Sequence, residues 1–195
     1  MFSTARRDAS ALTCHTDAVR RATEKHPLQT YESHFETTVK INAPPAQVFD
    51  LLDDHRRLSA HMTKPSWMMA GSHMTIEMDE QQGRTLGSKI SLSGAMLGLS
   101  LKVEEVVTTY NRPYAKTWVT VGSPRLIVVG PYCMGFSLAP CTAGSVLRVF
   151  IDYSPPTEGV PRVFGRLFGG MYARWCSNQM ARDAAMHFAT RGSAA

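Results

Sequence analysis

From Ser33 the chain alternates between apolar and polar positions. Phe35, Thr37, Val39 and Ile41 stand opposite Glu36, Thr38, Lys40 and Asn42, the period of two expected of a half-buried strand. Asn42-Ala43-Pro44-Pro45 ends it. Proline suits the first turn of a helix, and Val48, Phe49 and Leu52 follow at helical spacing. This predicts a short helix through Asp53 or Asp54, with a second over His55–Met62. The period returns to two at Met74, where Met74, Ile76 and Met78 oppose Thr75, Glu77 and Asp79. Gln82-Gly83-Arg84 reads as a turn, and Ile90 and Leu92 mark the next strand. Gly94–Gly98 is a turn or bulge before Leu99, Leu101 and Val103, whose strand runs on to Thr109. Asn111-Arg112-Pro113 breaks it. Further strands are predicted over Ala115–Val121, with Lys116, Trp118 and Thr120 on one side, over Leu126–Leu138, with Pro131 at a bulge or edge, and over Val146–Tyr153. Connections this short imply antiparallel pairing.

After Ser154-Pro155-Pro156 the pattern becomes helical from Pro161 to about Thr190. At 100° per residue Phe164, Leu167, Phe168, Met171 and Trp175 share one stripe, which Gln179, Arg182 and Met186 continue. The expected fold is therefore α+β, a seven-stranded curved antiparallel sheet gripping a long C-terminal helix, with two short helices after the first strand. A sheet cannot bury its face alone, and the long helix is available to cover it. Residues 1–32 are polar and without a lasting period. They read as an extension, mobile or loosely docked, before a domain at 33–190 and a tail at 191–195.

The run from Val39 to Asp53, VKINAPPAQVFDLLD, resembles the opening of the START-like or SRPBCC superfamily, which includes polyketide cyclase and lipid-transport proteins. There a first strand ends in an Ala-Pro pair before a helix containing Val-Phe. The resemblance implies the helix-grip fold, with an apolar cavity between sheet and terminal helix. It also implies binding or transport of a hydrophobic small molecule or lipid, without cofactor. A minority of the superfamily are cyclases, aromatases or hydrolases, so the alternative is an enzyme acting on a polyketide-like substrate in the same cavity. The superfamily shares no catalytic triad, so it assigns no catalytic residue.

Composition fits this picture. The 195 residues are 44% hydrophobic and 19% charged, enough apolar material for one packed core. The longest mainly apolar run, Leu126 to Phe136, is interrupted by Gly130 and Pro131 and is too short to span a bilayer, so no stable membrane insertion is expected. The net charge of +5 sits on the two ends, with five Arg and one Asp between residues 162 and 195. Bases dispersed in this way do not form a nucleic-acid patch, although they leave room for weak attraction to anionic membranes. Met1–Thr30 lacks an apolar secretory core, and none of Cys14, Cys133, Cys141 and Cys176 is in C-x-x-C spacing. Reduced thiols and a cytoplasmic location are the expectation.

The candidate ligand-binding residues are Trp67, Met69, Met74, Leu101, Trp118, Tyr132, Met134, Phe168, Met171, Trp175, Gln179 and Arg182. Methionine adapts to varied apolar shapes, and tryptophan adds a flat surface with an N–H donor. The plain alternative is that these residues fill a core. Arg182 either recognises a carboxylate or phosphate of the ligand or sits solvated at the rim. For acid–base chemistry the candidates are Glu105, His61 and Tyr132. Glu104 and Glu105 are adjacent, so a regular strand turns one of them inward. Asp50, Asp53 and Asp54 are expected on an exposed helix side. The histidines match no zinc spacing, so no metal is predicted. Gly135-Phe136-Ser137-Leu138-Ala139 approximates a nucleophile elbow, but it lies within an alternating strand rather than at a strand-to-helix turn.

Overall fold

A computed structural model of the chain describes residues 30–58, 73–96 and 99–192. The first alternating segment forms β1 (Ser33–Ile41), its side chains switching between half-buried and exposed. Pro44 and Pro45 start α1 (Pro45–Asp53), and the Pro44 carbonyl accepts from Gln47 N–H at 3.0 Å. α2 (His55–Leu58) begins where Asp54 Oδ1 accepts from the amides of Arg56 and Arg57 at 3.2 and 3.3 Å, which caps its first turn. The continuation of this helix to Met62, and residues 1–29 of the expected extension, lie outside the described residues. At 30–32 the chain is tied to the end of the sheet, with Glu32 N–H donating to Ser154 Oγ at 3.3 Å.

The remaining strands are β2 (His73–Met78), β3 (Lys89–Met96), β4 (Leu99–Asn111), β5 (Ala115–Arg125), β6 (Tyr132–Cys141) and β7 (Gly144–Tyr153). They form one seven-stranded antiparallel sheet in the order β1-β7-β6-β5-β4-β3-β2. The sheet is thus a meander from β2 to β7, with β1 added beside β7. Several of the predicted strands differ in extent, and β3 continues to Met96 through Gly94, where a turn or bulge is expected from the sequence. β5 runs four residues past Val121, and the strand predicted from Leu126 begins only at Tyr132, because the segment between turns through Gly130 and Pro131. Gly130 N–H donates to the Ser154 carbonyl at 2.8 Å, and Ser154 N–H donates to the Pro131 carbonyl at 2.9 Å, holding this segment against the end of β7.

The long helix is α3 (Gly159–Gly192), and its contacts with the sheet are concentrated on β1 and β7. Here the helical stripe is corrected. The residues α3 buries are Gly165, Gly169, Ala173, Cys176, Ser177, Met180, Ala181, Ala184 and Phe188. Phe164, Leu167, Phe168 and Met171 lie on the other side, between 40 and 69% exposed. The first half of the helix therefore packs through its small residues. A Cβ on Gly165 would meet Pro156 Cδ at 2.5 Å, and one on Gly169 would meet the Val128 carbonyl oxygen at 3.0 Å. Only glycine allows so close a seat.

The main core lies between α1, β6, β7 and α3. Phe49 is fully buried, edge-on to Phe136 at 5.5 Å and to Tyr110 at 5.6 Å. A second cluster, Ile90, Leu92, Val103 and Val107, fills the face of β3 and β4.

Candidate functional site

β4 turns Leu101, Val103, Glu105 and Val107 to its buried face, so alternation itself carries a carboxyl inside. Glu105 is 3% exposed, and its Oε1 accepts a hydrogen bond from the Tyr132 hydroxyl. Tyr132 is held at the start of β6. The β5–β6 ladder stops at Val119 and Cys133, and beyond it the Thr120 hydroxyl accepts from Tyr132 N–H at 3.0 Å. The third member is His55 at the start of α2, also 3% exposed. Its Nε2 lies 3.4 Å from Glu105 Oε2, and its ring stands edge-on to Trp118 at 5.2 Å. Glu105, Tyr132 and His55 thus come from three separate elements to one buried point.

Polar satisfaction there is incomplete. His55 Nδ1 and Glu105 Oε2 have no hydrogen-bond partner, nor does Ser177 Oγ on α3. Orphaned buried polar atoms are uncommon, each costing on the order of 1–3 kcal/mol. Burial, reinforced by the Glu105 charge, pushes the Tyr132 phenol well above its ordinary value, so it stays a donor at neutral pH. Burial also raises the Tyr172 phenol and takes the Cys176 thiol to about 12, which removes Cys176 as a thiolate nucleophile.

A cleft of about 380 Å³ opens between the end of the sheet and the start of α3. Its walls are Ser100 and Leu101 of β4, residues 122–127 at and beyond the end of β5, Gly130 and Pro131, and Pro156, Thr157, Glu158 and Pro161 at the start of α3. The volume falls in the range of small-molecule sites. Cleft and cluster share two stretches of chain. Leu101 is on the same face of β4 as Glu105, roughly 13 Å along the strand, and Pro131 directly precedes Tyr132.

A second buried polar group anchors the α1–α2 corner. Lys116 is fully buried, donating to Asp53 Oδ1 at 2.7 Å and to the Asp53 carbonyl at 3.3 Å. Asp53 Oδ2 accepts from the Tyr110 hydroxyl at 2.8 Å, with Arg84 Nε 3.9 Å away. Asp53 is therefore buried, against the expectation of an exposed helix side. Asp50 does remain at the surface, paired with Arg112.

Trp118 and Met134 are buried and directly opposite each other across β5 and β6, and Leu101 lines the cleft. Trp175 is half-buried against Tyr172, their ring centroids 5.9 Å apart. Phe168 and Met171 are on the exposed side of α3. Gln179 donates to Asp183 Oδ1 at 2.9 Å, and Arg182 is exposed. Met74 belongs to β2, with its side chain outside the description, while His61, Trp67 and Met69 lie outside the described residues. Two buried polar groups were missed from the sequence, His55 and the Asp53–Lys116 pair. Lys116 had a signal, because it shares the phase of Trp118 and Thr120. His55 had none, since a four-residue helix shows no period.

A family model described as polyketide cyclase / dehydrase and lipid transport matches residues 32–187. No curated protein matches the sequence significantly. Among solved structures, a Chromobacterium violaceum protein superposes with a TM-score of 0.53 at 14% identity, covering 80% of this chain and 96% of its own. Ara h 8.0201 superposes with a TM-score of 0.52 at 14% identity, covering 78% and 97%. A Rhodobacter sphaeroides protein gives 0.52 at 16% identity, covering 85% and 97%. At these identities the likeness is one of fold.

Proposed function

The chain belongs to the polyketide cyclase/dehydrase and lipid-transport family, and from that premise we propose that it binds a hydrophobic small molecule or lipid at the cleft between the sheet and the start of α3. The observation that carries the reading is a cleft half of whose lining residues are Leu101, Leu126, Ile127 and four prolines, connected to a buried polar cluster through β4 and through the Pro131–Tyr132 step. An apolar wall supplies affinity, and a few fixed polar groups supply orientation. Glu105 Oε2, which has His55 Nε2 at 3.4 Å and no hydrogen-bond partner, suits a hydroxyl or other donor on an otherwise apolar guest. Trp118, Met134 and Trp175 belong to the packed core in this reading, and Arg182, 21 residues along α3 from Pro161, lies about 30 Å from the cleft.

The test is native mass spectrometry of the purified chain for a co-purifying guest, with titration of an apolar fluorescent probe. Saturable binding is expected. Ile127→Trp, which fills the cleft from a half-buried position, is expected to weaken it. Absence of saturable binding by the probe and by a panel of lipophilic compounds would sink the reading.

A second reading, turnover of a polyketide-like substrate, is favoured by one observation. Glu105 contacts both a hydrogen-bond donor, Tyr132, and an imidazole, His55, as acid–base chemistry requires. Activity lost in Glu105→Gln while probe binding persists would distinguish it from carriage.

A further inference from the structure

The exposed face of α3 is apolar where a solvated helix should be polar. Val160, Val163, Phe164, Leu167, Phe168 and Met171 are each between 40 and 69% exposed, and Phe164 and Phe168 stack at 5.7 Å to form a continuous surface. The first half of the helix packs through glycine and alanine, so the apolar bulk of that half lies outside the core. A contiguous apolar patch of this kind marks an interaction surface. The charges along the helix from Gly159 through Arg182 have one sign. Arg162, Arg166, Arg174 and Arg182 are exposed, and no Asp or Glu occurs from Gly159 through Arg182. The acids that flank this stretch are Glu158 before it and Asp183 after it, the latter engaged by Gln179. Arg174 also lies over the Phe35 ring at 5.5 Å, so its position is set by the sheet.

We infer that the first half of α3 is a docking face for an anionic lipid surface. An amphipathic helix with large apolar residues on one side and arginines beside them rests in the plane of a bilayer, its apolar side chains in the headgroup boundary and its guanidinium groups at lipid phosphates. No helix among the described residues is long and apolar enough to cross a membrane, which leaves the interfacial mode. A second copy of the chain fits less well. A two-fold contact would set the arginine-bearing face against itself, with only Glu158 at its edge to pair it. Pro161 and Glu158 line the cleft and adjoin the first residues of this face. Docking therefore brings the cleft beside the lipid, where an apolar guest can exchange without crossing water. That exchange rests on the proposed function, whereas the docking does not.

The test is co-sedimentation of the full chain with vesicles of phosphatidylcholine alone and of phosphatidylcholine mixed with phosphatidylglycerol. Binding is expected on the mixed vesicles only, weakening as salt rises. The double variant Leu167→Asp/Phe168→Asp should bind them more than roughly tenfold more weakly. Arg166→Gln/Arg174→Gln should lose about 25-fold, near fivefold per basic group. All four side chains are exposed, so unchanged melting curves are expected, and unchanged probe titration would separate docking from guest binding. Equal binding to both vesicle types overturns the inference. So does undiminished binding of both helix variants, which would assign the attraction elsewhere in the chain. Self-association that Leu167→Asp abolishes, without vesicle binding, would assign the face to a second copy instead.

Discussion

Lys116 Nζ lies 2.7 Å from Asp53 Oδ1 at a point where both side chains are buried, so the end of α1 is fastened to the middle of the sheet by a charge pair. Burial pulls the amine below the ordinary lysine value, and the carboxylate opposes that pull. Removing one partner strands the other. Asp53→Ala is expected to cost about 3–5 kcal/mol in denaturant unfolding, whereas the double change Asp53→Leu/Lys116→Met should recover most of the loss. Equal losses in the single and double variants would contradict the pair's role.

The same carboxylate sets an alkaline limit. Burial, then the bond to Asp53, lifts the Tyr110 phenol from 10.0 to about 12. The folded chain keeps that proton longer than the unfolded chain does. The contribution is therefore complete below pH 10 and is lost as pH rises from 10 through 12. Tyr110→Phe should flatten the fall of Tm across that window, as thermal melts at stepped pH will show.

Two glycines of α3 should respond with opposite signs. At Gly165 a new methyl meets Pro156 Cδ at 2.5 Å and the Val128 oxygen at 3.2 Å, so Gly165→Ala should destabilise by about 1–3 kcal/mol despite alanine's helix preference. At Gly170 the nearest atom is Tyr153 Oη at 3.5 Å, an ordinary contact, so Gly170→Ala should stabilise by roughly 0.5–1 kcal/mol. Paired urea titrations decide it.

Tyr132→Phe removes the donor to Glu105 Oε1 and leaves a second orphaned oxygen on one buried carboxyl. A loss of about 1–3 kcal/mol is expected, with most of it returned in Tyr132→Phe/Glu105→Leu. A Tyr132→Phe chain as stable as the parent would mean the hydroxyl contributes nothing there.

The strands were legible because alternation is a local signal. The expected inward choice between Glu104 and Glu105 came out as Glu105, with irregularities in the β4–β5 pairing at Lys102/Glu104 and Val107/Thr109. The phase of α3 was not legible in its first half. A stripe is drawn through the largest apolar residues, on the premise that bulk is buried, but here close approach to the Val128 backbone selected Gly165 and Gly169 for the inside. Asp53 was misplaced for a related reason. Its partner, Lys116, lies 63 positions away, and burial of a charge depends on a tertiary neighbour that no local period records. Glu105 and Tyr132 were each singled out from the sequence, yet the bond between them joins two strands that β5 separates.

The glycine seat of α3 also governs how the cleft can move. With Gly165 and Gly169 on the Val128 backbone and Pro156 beside them, the helix start and the segment around residues 126–131 form one mechanical block. Raising the helix would drag both rims together. Extra room for a bulkier guest must come from the opposite bank, where Ser100 and Leu101 begin β4.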